Sequence, residues 1–141
     1  MKKIIVILFV IVLAIGGASC SKKADEARLL SEFNKNLQEM CTWRAKCPDG
    51  SSVEECKNSH LMVMDLVKKS DAAPSECQKY TTMLNSLSLQ CDVELFNKYG
   101  MDYCGRSTNP SYIQEQYNCT VKYGRRDIER KSGTCVMKSH R

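Results

Sequence analysis

Hydrophobic and polar positions follow two rhythms along this chain. Residues 4–15 are an unbroken run of twelve apolar side chains, Ile4 to Ile15, with Lys2 and Lys3 before it and Gly16, Gly17, Ala18, Ser19 and Cys20 after it. From Ala24 to about Lys46 the pattern changes, and apolar residues recur at Ala27, Leu30, Phe33, Leu37 and Met40. That three-four spacing puts them on one face of a helix. Pro48, Asp49 and Gly50 then predict a turn. Ser51 with Glu54, and Ser52 with Glu55, each fit a capping box that opens a second helix. Its apolar face runs through Val53, Cys56, His60, Val63 and Val67, and the helix should end near Ser70, before a turn at Asp71 to Pro74.

Cys77, Tyr80, Leu84, Leu87 and Cys91 give a third helix the cleanest stripe in the chain, with both cysteines on its buried side. Asp92 suits the N-cap of a short fourth helix stopping at Gly100. Residues 105–111 have loop composition, and Asn109 followed by Pro110 fits the cap and first position of a fifth helix edged by Ile113 and Tyr117. After Cys119 the periodicity fades, and "CTVKY" and "TCVMK" would each suit a short strand. The predicted fold is mainly α: a small disulfide-stapled bundle of four to five helices, with a partly irregular C-terminal segment, forming one domain over residues 24–141.

The first nineteen residues have the three parts of a secretory signal peptide: a basic start, an apolar stretch and a small-residue exit. A membrane-spanning helix needs roughly 20 apolar residues to cross about 30 Å of hydrocarbon, and the stretch from Ile4 through Ser19 has sixteen residues. The segment is therefore expected to be removed. Ala18, Ser19 and Cys20 at its close resemble a bacterial lipobox, with Gly17 where Leu or Val is usual. The resemblance implies a lipoprotein of the cell envelope, in which cleavage falls before Cys20, its thiol carries a diacylglyceryl group, and its freed amine is often acylated, for example with palmitate. Residues 20–23 would be the lipidated cysteine and a short tether. The membrane would then be a partner through Cys20, in the outer membrane if the cell has one. Plain secretion after Ala18 is the alternative.

Cysteine parity adds a separate argument. The chain has nine cysteines, and an odd count in an exported protein needs a reason. Setting Cys20 aside leaves Cys41, Cys47, Cys56, Cys77, Cys91, Cys104, Cys119 and Cys135, an even set for structural disulfides. They are needed, because past the signal only Phe33, Phe96 and Trp43 are strongly apolar aromatics. Cys77 and Cys91 stand about 21 Å apart on a continuous helix, too far to bond to each other. Cys41 and Cys56 flank the Pro48 turn almost symmetrically and would face each other in a helical hairpin. In an up-down-up bundle Cys47 and Cys91 reach the same end, which predicts a second bond between them. No C-x-x-C occurs, so neither zinc nor thioredoxin-like chemistry is indicated.

Charge is uneven. Residues 122–141 carry seven basic side chains against Asp127 and Glu129, and residues 20–121 carry twelve against fourteen acidic ones. Arg125, Arg126, Arg130 and Lys131 are the candidate surface-binding residues, directed at an acidic envelope component or protein; export argues against nucleic acid. No catalytic motif, phosphate-cradling glycine loop or cofactor site is present, and His60 and His140 are the only histidines. The chain therefore reads as a membrane-anchored binding or structural module, not an enzyme. Two rivals are a secreted disulfide-rich inhibitor or effector without lipid, and a small envelope enzyme or copper carrier. For the last, His60 and Met64 share a helical face, and a pocket joining His60 to acidic groups would be its structural mark.

Overall fold

A computed structural model describes residues 24–69 and 77–139. They form five α-helices: α1 (residues 24–44), α2 (Val53–Lys69), α3 (Gln78–Tyr99), α4 (Pro110–Lys122) and α5 (Arg125–Ser139), with a 3-10 segment at Gly100–Gly105. No strand occurs among the described residues. The signal segment, Cys20 with its tether, the turn at Asp71 to Pro74, the side chain of Val67 and His140 lie outside the described residues.

α1 buries Phe33, Leu37 and Met40 of the predicted stripe, together with Cys41, while Ala27 and Leu30 at its start are exposed. It closes in a tight turn where the Cys47 and Gly50 amides donate to the Arg44 and Cys47 carbonyls at 3.0 and 2.9 Å. A Cβ on Gly50 would lie 1.9 Å from the Arg44 carbonyl oxygen, so only glycine fits there. Of the two possible capping boxes, the second forms. The Glu55 amide donates to Ser52 Oγ at 3.2 Å, and Glu55 Oε2 accepts from the Ser52 amide at 2.9 Å.

α3 is one helix of 22 residues where the sequence suggests two. Asp92 does not cap anything: it sits mid-helix, buried, with its carboxylate held by other elements. Aspartate's preference for caps is weak beside such tertiary partners. Gly100, at φ 58°, ends the helix as expected and sends its N–H to the Phe96 carbonyl. Asn109 caps α4, its side chain accepting from the Ser111 amide at 3.0 Å with Pro110 at the first position.

The two segments suited to strands are both helical, "CTVKY" at the end of α4 and "TCVMK" within α5. Each carries a cysteine bonded to α3, which holds it against a helix and not a sheet. In α5, Arg125 with Glu129 and Asp127 with Lys131 form ion pairs one turn apart that suit a helix of polar composition.

All eight cysteines from Cys41 onward are paired: Cys41–Cys56, Cys47–Cys104, Cys77–Cys135 and Cys91–Cys119, with Cα separations of 5.5 to 5.8 Å. The first is the pair the hairpin geometry predicts. The expected Cys47–Cys91 bond is not made. Cys91 faces α4, and Cys47 instead meets the 3-10 segment, which folds back over the turn after α1.

Two apolar clusters fill the interior. One gathers Phe33, Leu37, Met40, Cys41, Cys56, Met64, Leu89 and Val93 from α1, α2 and α3. The other is aromatic: Phe96 is fully buried, stacked on Trp43 at 5.7 Å and met edge-on by Tyr103 at 4.9 Å. Such ring pairs contribute about 0.5–1.5 kcal/mol beyond their burial. The contacts fix direction: α1 and α3 run the same way, bringing Trp43 to Phe96, and α2 runs against both, bringing Cys56 to Cys41 and Met64 to Asn85. One end of the bundle is the aromatic cluster. The other holds the start of α1, the end of α2, the start of α3 and, through Cys77–Cys135, the end region of α5.

Candidate functional site

The most concentrated chemistry among the described residues is built around Asp92. Oδ1 of this buried residue accepts from the Tyr103 hydroxyl at 2.9 Å and from Gln116 Nε2 at 2.8 Å, and lies 3.3 Å from Arg106 Nη1. Side chains from the 3-10 segment with its C-cap and from α4 thus converge on one carboxylate of α3. Burial pushes the Asp92 carboxyl upward, and Arg106, Tyr103 and Gln116 pull it back. Burial, with the neighbouring carboxylate, holds the Tyr103 phenol well above its ordinary range.

Asp92 also forms the floor of a cleft of about 70 Å³ between α1, α2 and α3, lined besides by Phe33, His60, Val63, Met64, Asn85, Ser88 and Leu89. The His60 ring is lowered from its ordinary value chiefly because the cleft dehydrates it; Asp92 opposes that shift and Arg106 adds to it. A pocket joining His60 to an acidic group is therefore present. Its volume suits two or so water molecules or a small ion, at about 30 Å³ of liquid per water, and is well below the roughly 300 Å³ of ordinary ligand sites. Met64 is turned inward, but its sulfur already accepts from Asn85 Nδ2 at 3.0 Å. Among the described residues, no three His, Cys, Asp or Glu side chains come together as a metal site requires. The cleft has room for water beside His60 and Asp92.

The basic C-terminal residues do not act as one patch. Arg125 pairs with Glu129 at 2.7 Å and lies over the Tyr117 ring, and it lines a second, wider cleft of about 210 Å³ with Leu84, Leu87 and Thr120. Arg130 and Lys131 share Asp127. Arg126 is exposed and makes no ion pair among the described residues. Two acidic side chains thus answer three of the four cations, which the count of charges did not reveal.

Part of α2 faces differently from the stripe its sequence predicts. Only Cys56 and Met64 of its described side chains are buried, with Val53 half-buried against them. His60 and Val63, expected on the inner stripe, are exposed, as are Leu61, Met62 and Leu66. α2 lies at the margin of the bundle and meets it along a narrow strip. The signal was legible: six of the seven residues 61–67 are apolar, which leaves no polar side to the helix. Among the described residues no helix is long and apolar enough to cross a membrane.

The eight paired cysteines are structural, and Cys20 lies outside the described residues. No family model, no curated protein and no solved structure matches this chain.

Proposed function

We propose that this chain is a lipid-anchored envelope protein: a rigid, disulfide-stapled helical module attached to a bilayer through acylated Cys20 and acting by binding, not by catalysis. The observation that carries the reading is the cysteine pairing. Four bonds use every cysteine from Cys41 to Cys135, so the ninth, at the end of the apolar leader, is the one left for another chemistry. Four disulfides also belong with an oxidising compartment. Arg126 is the basic side chain best able to meet an acidic envelope partner, and Arg125, Arg130 and Lys131 contribute what their internal pairs leave.

Intact-mass and peptide mass spectrometry of the natural protein tests this. The expected result is an N-terminus at Cys20 carrying diacylglyceryl and acyl mass, and release from membranes on Cys20→Ser. A free, unmodified N-terminus after Ala18 would instead make the protein a secreted disulfide-rich inhibitor or effector. A smaller envelope role as an enzyme or copper carrier draws on the His60–Asp92 cleft alone.

A further inference from the structure

Residues 61–67 read Leu-Met-Val-Met-Asp-Leu-Val in the last two turns of α2. Met64 faces the core at 8% exposure, whereas Leu61, Met62, Val63 and Leu66 are 43, 61, 53 and 60% exposed. At about 100° per residue, Met62 and Leu66 share the outer face, and Leu61 and Val63 flank it. Single exposed apolar side chains are ordinary, but four large ones on two turns form a patch that calls for an apolar partner. On α1, Leu30, one turn nearer the tether than Phe33, is also 48% exposed.

What covers this face follows from where the chain leaves the domain. α1 and α2 are antiparallel, with Cys41 bonded to Cys56 and Phe33 sharing a cleft with Met64, so Leu66 comes level with about residue 31, roughly 10 Å from the start of α1 at 1.5 Å per residue. Only Ser21, Lys22 and Lys23 separate Cys20 from Ala24. At about 3.5 Å per extended residue that link reaches at most about 14 Å. An acyl group on Cys20 would therefore hold the patch within reach of the headgroups. Interfacial helices sink about 5–10 Å into that layer. In the sequence, Lys68 and Lys69 follow the apolar turns directly. The first two turns of α2, with Glu54, Glu55, Asn58 and Ser59 exposed, are polar and suit water.

We infer that the last two turns of α2 form a lipid-contacting surface that lays the domain on its side against the bilayer carrying its anchor. The inference rests on the anchoring proposed above. Leu66→Trp in the lipidated full-length protein, reconstituted into phosphatidylethanolamine–phosphatidylglycerol vesicles with brominated acyl chains, reads the contact directly. Wild-type protein, whose sole tryptophan is Trp43, supplies the baseline, Glu54→Trp marks the other end of α2, and Met62→Trp repeats the measurement if Leu66→Trp loses its helical circular dichroism. Bromine near the headgroups should quench most of the emission added by Leu66→Trp and little of that added by Glu54→Trp. Unquenched emission from protein that floats with the vesicles and carries acyl mass on Cys20 would overturn the lipid contact and leave the anchor standing; a dimer cross-linked through α2 would assign the face to a second copy. Protein without acyl mass that fails to float would remove both readings.

Discussion

Cys47 is bonded to Cys104, 57 residues away, so the turn that ends α1 is locked onto the 3-10 segment that follows α3. The bond closes over the aromatic cluster, where Trp43, Phe96 and Tyr103 meet. Loop-closure entropy assigns it about 4 kcal/mol, against about 3 kcal/mol for a short loop such as that of Cys41–Cys56. Paired alanine replacement of Cys47 and Cys104 should therefore cost more in urea unfolding than replacement of Cys41 and Cys56. It should also flatten the near-ultraviolet dichroism of the rings. The reverse order would show that the hairpin, and not the aromatic end, is the weaker part of the frame.

Arg106 is the main charge holding down the Asp92 carboxyl against burial. Arg106→Met should raise Asp92 further above its ordinary value of 3.8. An acid with a raised folded-state value favours folding fully below the unfolded value, and that contribution is lost as pH rises through the folded one. Stability of Arg106→Met relative to wild type should therefore be lower at neutral pH than at acid pH. Thermal melts at these two ends check it; parallel curves would mean that the ion pair does not couple to folding.

The α2 cap gives the opposite slope. Ser52 hydrogen bonds, from its hydroxyl and its amide, hold the Glu55 carboxyl below 4.5. A lowered acid stabilises above its unfolded value and loses that contribution as pH falls through the folded one. Carbon-13 carboxyl titration of Glu55 should have its midpoint below the ordinary glutamate value, and Ser52→Ala should move it up. A midpoint unmoved by Ser52→Ala would mean that the box is not formed in solution.

Copper titration separates the carrier reading from a packed cleft. With Met64 already engaged by Asn85 and only His60 and Asp92 beside it, wild type and His60→Ala should bind Cu(II) with the same weak affinity. A tight, stoichiometric site abolished by His60→Ala would establish the cleft as a metal centre. Independently, His60 should titrate below 6.5, and Asp92→Asn should lower it again, because the carboxylate is what raises it.

Local chemistry was readable wherever the relevant partners were close in sequence. The stripe of α1, the Ser52–Glu55 box, Gly100 as a terminator, Asn109–Pro110 and the Cys41–Cys56 bond all depend on neighbours within about one hairpin. Asp92 was misread because Tyr103, Arg106 and Gln116 are brought to it by tertiary folding, which a propensity for caps does not contain. Cys47 pairs with Cys104 and not with Cys91 for a related reason: helix ends are legible from periodicity, and the 3-10 segment that delivers Cys104 has no periodic signature. The candidate site was half visible, since His60 stood out by its chemistry and its acidic neighbour did not.

None of the four bonds joins cysteines that follow one another in the chain; each skips at least one. Cys47–Cys104 crosses all three of the others. A polypeptide threaded outward from its N-terminus offers Cys47 to Cys41 before Cys56 arrives, so oxidation in order of emergence yields wrong linkages. Correct maturation then depends on thiolate exchange that undoes early partners, and a host able to oxidise this chain but unable to reshuffle it would accumulate scrambled isomers.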